Sequence, residues 1–202
     1  MIRWPDPSVT PAPMAPELET PRLLLRHWRL EDRPPFAAMN ADPEVMRHFP
    51  APLDRVSSDA LADRLERELR TGDFGLWALE VKGGPRFIGF VGLARPGWDL
   101  PFGPCVEVGW RLAGEAWGSG YATEAARAAL RHGFEGIGLD QIVSFTALTN
   151  RRSLGVMQRL EMHRDESEDF DHPALPPGHP LRRHLLCRLT ADRWRKIGTT
   201  PA

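Results

Sequence analysis

Between residues 74 and 136 the chain changes its apolar period once, and that change restricts the folds open to it. "FGLWALEV" (74–81) and "RFIGFVGLA" (86–94) are short apolar runs on either side of "KGGP", which reads as a hairpin. The loop "RPGWDLPFGP" (95–104) leads to a third strand, "CVEVGWRLA" (105–113). Then "AWGSGYATEAA" (116–126) places two glycines one residue apart at the mouth of a helix. That helix runs to about residue 136, with Ala122, Ala125, Ala126, Ala129, Leu130 and Phe134 on one stripe. A three-strand meander feeding a helix through a glycine turn does not suit a helical bundle or a doubly wound parallel sheet. It calls for an α/β (α+β) architecture, a mixed sheet with helices on its faces.

The flanking segments agree. "RLLLRHW" (22–28) suits a first strand, and residues 30–49 carry helix-start signals at Asp32 and Asp42 followed by prolines, which predicts two short helices. Ser57 to Arg70 places Leu61, Leu65 and Leu69 on one face, closed by Gly72. A strand over 141–148 and a helix over 150–162 follow, the helix turning Leu154, Met157 and Leu160 inward. "HRDESEDF" (163–170) and "RHLLCRLT" (183–190) are read as the last two strands, around the loop "DHPALPPGHP" (171–180). A single domain over 18–190 is expected, between a proline-rich arm (1–17) and a tail (191–202).

Charge and composition exclude several functions. The formal net charge is −1, so no basic field draws the chain to nucleic acid or an anionic membrane. No apolar run approaches the roughly 20 residues of a bilayer span, and the N-terminus lacks a signal peptide's apolar stretch. The two cysteines, Cys105 and Cys187, form no disulfide framework, and the seven histidines include no metal-binding pattern. A cytoplasmic protein without a metal is expected.

The glycine turn is the most informative local feature. A helix N-terminus exposes unpaired N–H groups and the positive end of the dipole, and glycines before it let an anion approach. No Lys-Ser/Thr pair follows the glycines, as a Walker loop requires. Thr123 stands where a dinucleotide fold needs its third glycine. On the glycines alone, a plain tight turn is as good a reading as an anion site.

"VEVGWRLAGEAWGSGYATEAARAALRHGF" (106–134) resembles the acetyl-CoA-binding segment of the GNAT acetyltransferases, in particular the RimJ/RimL-like branch. The family pattern of a polar residue, two variable positions, Gly, one variable position and Gly or Ala falls on Trp117 to Ala122. Trp117 stands where Gln or Arg is usual, and Gly120 and Ala122 match. A second signature, an Asn followed by a helix ending in Leu-Gly-aromatic, falls on Asn150, Ser153, Leu160 and Met162, with Glu161 in the usual Gly position. The resemblance covers about residues 18 to 190 and implies the GNAT fold, a mixed and mostly antiparallel sheet of about seven strands flanked by helices. It implies acetyl-CoA as co-substrate. The turn Trp117, Gly118, Ser119, Gly120, Tyr121, Ala122 and Thr123 would take its pyrophosphate. The strand Trp110, Arg111 and Leu112 would pair with the pantetheine arm, which Asn150 would also contact, with Ser153 beside it. Asn150 is equally a good helix N-cap.

Acetyl transfer to an amine needs a base for the ammonium, stabilisation of the thioester oxygen and an exit for the thiolate. Glu107 is the candidate base, since relatives often carry a carboxylate on this strand. An alternating strand can also turn such a residue to solvent or to an arginine. Many relatives place a Tyr seven residues after the Asn; that position is Met157, so Ser153 is the candidate donor to the thiolate. Trp98, Phe102, Asp171 and His172 are candidate acceptor-binding residues, with a core plug, a dimer contact or a rigid crossover as bland alternatives. The expected function is N-acetylation of a small-molecule amine or a peptide N-terminus. The alternatives are a non-catalytic acyl-CoA-binding module and an acyltransferase using a longer acyl chain. Neither nucleic acid nor membrane is an expected partner, and a homodimer is a reasonable prior.

Overall fold

The computed structural model describes residues 14–198. Of the arm expected over 1–17, residues 1–13 lie outside the described residues, and the rest is docked. Ala15 is fully buried and donates its N–H to the Leu69 carbonyl, and the Pro16 carbonyl accepts from the Trp77 indole at 2.9 Å.

The chain runs β1 (Leu18–Glu19), β2 (Leu23–Arg26), α1 (Arg33–Ala41), α2 (Arg55–Thr71), β3 (Leu76–Val81), β4 (Gly89–Ala94) and β5 (Glu107–Leu112). It continues with α3 (Tyr121–Arg131), β6 (Gln141–Ala147), α4 (Arg151–Arg159), β7 (His163–Arg164), β8 (Phe170–Asp171), β9 (Arg183–Thr190) and α5 (Ala191–Gly198). The strands form one nine-stranded sheet in the order β1-β2-β3-β4-β5-β6-β9-β7, with β8 also on β9. Every pairing is antiparallel except β5 with β6, which are parallel and in register at one pair, Glu107 and Val143.

Helices cover both faces. α1 buries Phe36 edge-on against Trp28 at 4.9 Å and against Phe90 at 6.0 Å. α3 lies on the opposite face, burying Ala125, Ala126, Ala129 and Leu130, and its π-helical continuation His132–Ile137 seats Gly133 over Leu93 and Ile142. The stripe of alanines lets α3 lie close to the sheet. Near the first strand, the Arg26 guanidinium is wholly buried and bonds both Asp32 oxygens at 2.8 Å and Glu80 at 2.7 Å. This ties β2, β3 and the start of α1 together.

Three local expectations change. The helix expected from Asp42 is a series of turns, because the Asp42 side chain accepts the Glu44 N–H at 2.8 Å and closes an Asx turn instead. The strand expected over 163–170 is split into β7 and β8. Asp165 accepts from the Ser167 N–H (2.9 Å) and hydroxyl (2.7 Å), and this bends the chain into a 3₁₀ turn at Glu166–Glu168. With this split and the short edge strand β1, the sheet has nine strands rather than about seven. The segment expected as a tail begins with α5, whose Trp194 stacks on Phe134 at 5.6 Å and donates to Glu135 at 2.8 Å.

Glu161, in the position where the family signature carries glycine, has a left-handed backbone, φ 58°. A Cβ there costs about 1 kcal/mol. Glu161→Gly is expected to raise Tm by about 2–4 °C for a chain of this size, as checked by thermal unfolding. An unchanged or lower Tm would mean that the glutamate side chain offsets the strain.

Candidate active site

β5 and β6 touch at one register pair and then part, so the sheet opens into a gap beyond Glu107 and Val143. The Val143 N–H bonds the Val106 carbonyl at 2.9 Å, which sets the alternation of β5. Trp110, four residues on, therefore turns its main-chain N–H and C=O into the gap, whereas Arg111 turns its own toward β4 opposite Phe90. The Leu112 carbonyl at the far end is capped by the Trp117 indole at 2.9 Å. Of the three residues expected to pair with a pantetheine arm, Trp110 thus presents its backbone most openly.

The side chains of β5 divide by the same alternation. Val108 and Leu112 are buried on the α3 face, and Glu107, Gly109 and Arg111 share the other. Glu107 lies where the gap begins. As a whole residue it is half-buried, but its carboxyl is deep enough that burial pushes its pKa up from 4.5 to about 8. No charge partner contributes to the shift. The neighbouring Gly109 leaves room beside it, since the only atom near a Cβ built there is Glu107 Oε1 at 3.9 Å.

The turn before α3 fits an anion. Gly118 and Gly120 both have left-handed backbones, φ 78° and 80°. Gly118 faces open space, and only Arg22 Nη2, at 3.5 Å, approaches Gly120. Gly120 takes the N-cap position of α3 with no side-chain cap, so the N-terminal amides of the helix stay available. Beyond the turn lies a cavity of about 470 Å³ whose charged lining is mixed, Arg127, Arg131 and Arg159 facing Glu19 and Glu124. The Thr123 hydroxyl already accepts from Arg159 at 3.2 Å. The ring of Tyr121 packs against the core under the Arg22 guanidinium, at 4.9 Å.

Asn150 is the N-cap of α4. Its carbonyl oxygen accepts the Ser153 N–H at 3.2 Å, and its amide donates to the Thr146 hydroxyl at 2.9 Å. Each end keeps one further hydrogen-bonding position. Ser153 is half-buried in the first turn of α4, and Met157 is buried in the core.

The four expected acceptor residues gather at β8 around one aromatic cluster, but they differ in what they can offer an acceptor. Trp98 is 51% exposed and stands edge-on over His172 at 4.7 Å. Phe102 packs on Phe170 at 5.1 Å and Phe145 at 6.3 Å, beside the buried Leu100, Val143, Phe170 and Leu186. Asp171 is ion-paired with Arg182 (3.1 Å) and Arg183 (3.4 Å), so its charge is already matched. His172 is buried, and its Nδ1 accepts the Ala174 N–H at 3.2 Å. Burial, with His184 adding to it, pushes its pKa down to about 4. At neutral pH it is an uncharged ring in an aromatic cluster and too weak a base to take a proton from an ammonium. Burial likewise raises both thiols, Cys187 to about 11, so neither is an activated nucleophile.

Residues 22–163 match the family model described as "Acetyltransferase (GNAT) domain". The chain belongs to the GNAT acetyltransferase family. A relative in Aspergillus fumigatus named FsC-acetyl coenzyme A-N(2)-transacetylase is 29% identical over 189 residues, 90% of this chain and 79% of the relative. The structure of an acetyltransferase from Agrobacterium tumefaciens is 28% identical, covers 86% of this chain and 94% of its own, and superposes with a TM-score of 0.69. The fold is also that of Mycobacterium smegmatis RimJ, described in complex with CoA-disulfide, at 20% identity, TM-score 0.63 and coverage of 87% and 89%.

The chain carries two arginines at its site that no motif pointed to, Arg22 and Arg152, and a third, Arg111, that was expected there only for its backbone. Arg22 reaches over the glycine turn from β1–β2, donating to the Ser119 carbonyl at 3.0 Å and pairing with Glu124 at 2.6 Å. Arg152, on α4, stacks over Trp117 at 4.1 Å. This contact sets a cation beside the glycine turn. Arg111 lies on the Glu107 face against α1. Among the described residues no helix is long and apolar enough to cross a membrane, and no group of three or more His, Cys, Asp or Glu is placed to hold a metal.

Proposed function

We propose that this GNAT protein transfers the acetyl group of acetyl-CoA to the nitrogen of a primary amine by direct attack, with Glu107 as the base. The observation that carries the reading is a single carboxyl, without a charge partner, with a pKa near 8 at the mouth of the sheet gap. Its deprotonated form takes the proton of the acceptor ammonium. The freed amine attacks the thioester carbonyl carbon, the C–S bond breaks, and the surplus proton of the attacking nitrogen passes through the Ser153 hydroxyl to the leaving thiolate, while the proton taken by Glu107 goes to solvent. The Trp110 backbone pairs with the pantetheine arm, the amides at Gly118–Thr123 hold the pyrophosphate, and Asn150 uses its spare donor on the same arm.

The name of the fungal relative places its acetyl group on a nitrogen, N(2), in line with amine acetylation. The turn signature favours the RimJ/RimL-like branch. The net charge of −1 gives no adaptation to a basic ribosomal partner, which favours a small amine over a ribosomal N-terminus.

At about a hundred times its dissociation constant, acetyl-CoA stabilises a one-site protein by about 2.7 kcal/mol. Tm should therefore rise by about 5–10 °C, and thiol release should appear with amines. No thermal shift rejects the coenzyme assignment. A shift without thiol release from any amine rejects the enzyme and leaves a binding module.

A further inference from the structure

Arg111 carries a charge that no carboxylate matches among the described residues. It extends from the same face of β5 as Glu107, and its Nη1 donates to Asn40 Oδ1 at 2.6 Å. Asn40 is wholly buried and held in turn by the Ser58 hydroxyl at 2.9 Å, so the guanidinium is fixed from α1 and α2. The ring of Phe49 lies 4.0 Å away and that of Phe90 5.4 Å away, stacked on a residue that is half-buried as a whole but enclosed at its guanidinium Nε. Its Nε is buried with no hydrogen-bond partner. Among the described residues no carboxylate stands against it, and burial alone sets its pKa, about 10, so it remains a cation.

Arg26 shows what an enclosed guanidinium normally receives, namely the carboxylates of Asp32 and Glu80. An enclosed charge without a counter-ion is costly, and an unpaired buried donor adds to that cost. With Nη1 held by Asn40, the edge left to Arg111 is the Nε/Nη2 pair. Two parallel N–H groups of this kind match the two oxygens of a carboxylate. Between the two side chains lies Gly109, where Glu107 Oε1, at 3.9 Å, is the only atom near a Cβ position among the described residues. Glu107 and Arg111 thus stand on one face of β5 on either side of Gly109, with Cα atoms about 13 Å apart at strand spacing.

We propose that Arg111 binds a carboxylate on the acceptor, so that the acceptor is an amine that also bears a carboxyl group several bonds away, as in a dipeptide or an ω-amino acid. The proposal rests on the N-acetyltransferase reading, with the amine at Glu107 and the acid at Arg111. The group is a specificity determinant, not a proton carrier.

The probes are dipeptides and 6-aminohexanoate, each paired with its carboxamide. The wild-type protein is expected to favour each acid over its amide by about 10- to 100-fold in kcat/KM, the range for a charge-assisted pair. Arg111→Met should bring that ratio close to one. Arg111→Lys, which keeps the charge without the fork, should keep only part of it. Equal use of acid and amide by the wild type overturns the proposal, as does a preference that survives Arg111→Met. The wild-type comparison stands even where a variant folds poorly. If no amine releases thiol, the N-acetyltransferase reading fails separately and Arg111 is judged by binding. With coenzyme A present, the acid but not its amide should then raise the wild-type Tm, and equal shifts overturn the assignment.

Discussion

Glu107→Gln is expected to lower kcat by about 10²- to 10⁴-fold, the usual contribution of a positioned base, and to leave acetyl-CoA binding intact. Glutamine keeps the shape and removes the proton acceptor. Because the Glu107 pKa is raised to about 8, kcat/KM of the wild type should climb with pH and level off above that value. An acceptor ammonium can give a similar rising limb, so the decisive comparison is between proteins with one acceptor. The variant should lose the limb near pH 8 and keep any set by the amine. Stability gives a second readout of the same carboxyl. A folded-state pKa above the ordinary 4.5 means that the native state binds the extra proton. The stabilisation is complete below pH 4.5 and is lost as pH rises through about 8. Denaturant titrations should show the wild type weakening over that window and the glutamine variant weakening less. A variant with unchanged kcat and an unchanged pH profile would remove Glu107 from the chemistry.

How much of this site was legible depends on how local each feature is. The glycine turn was readable because Gly118 and Gly120 are adjacent to the helix they open, and their left-handed backbones explain why both are needed. Glu107 was readable as a candidate only through the resemblance, which puts a carboxylate on this strand. Its burial was not, since that depends on β6 leaving β5 after one register pair, a consequence of pairing between segments far apart in sequence. Arg111 was read only through its backbone. Its side chain acquires meaning from Asn40 and Phe49, distant residues whose neighbourhood no spacing reveals. The loop of Asp171 and His172 was read as acidic and titratable from residue type. Arg182, Arg183 and an aromatic cluster alter both groups. Asp42 and Asp165 show the converse, since a short side chain bonding its own backbone overrode the helix in one case and the strand in the other.

Asp32→Ala is expected to destabilise the protein by about 3–5 kcal/mol, the usual result of stranding one member of a buried pair. It removes both 2.8 Å bonds to Arg26 and the acceptor for the Arg29 N–H at 2.8 Å. Tm should fall by roughly 10 °C for a chain of this size, as calorimetry would record. Arg26→Met combined with Asp32→Ala should recover part of the loss, because no lone guanidinium is then left inside. The Arg26 carbonyl partners and Glu80 keep that recovery incomplete. If the single variant loses less than about 1 kcal/mol, water or a rearranged Glu80 is serving the arginine, and the pair is not what holds β2 to α1. The same measurement separates the two enclosed arginines by purpose. Arg26 finds its carboxylates within the chain, so removing one should cost stability and leave the acid-over-amide ratio of the acceptors unchanged. Arg111 has no such carboxylate among the described residues, and there the substitution should move the ratio.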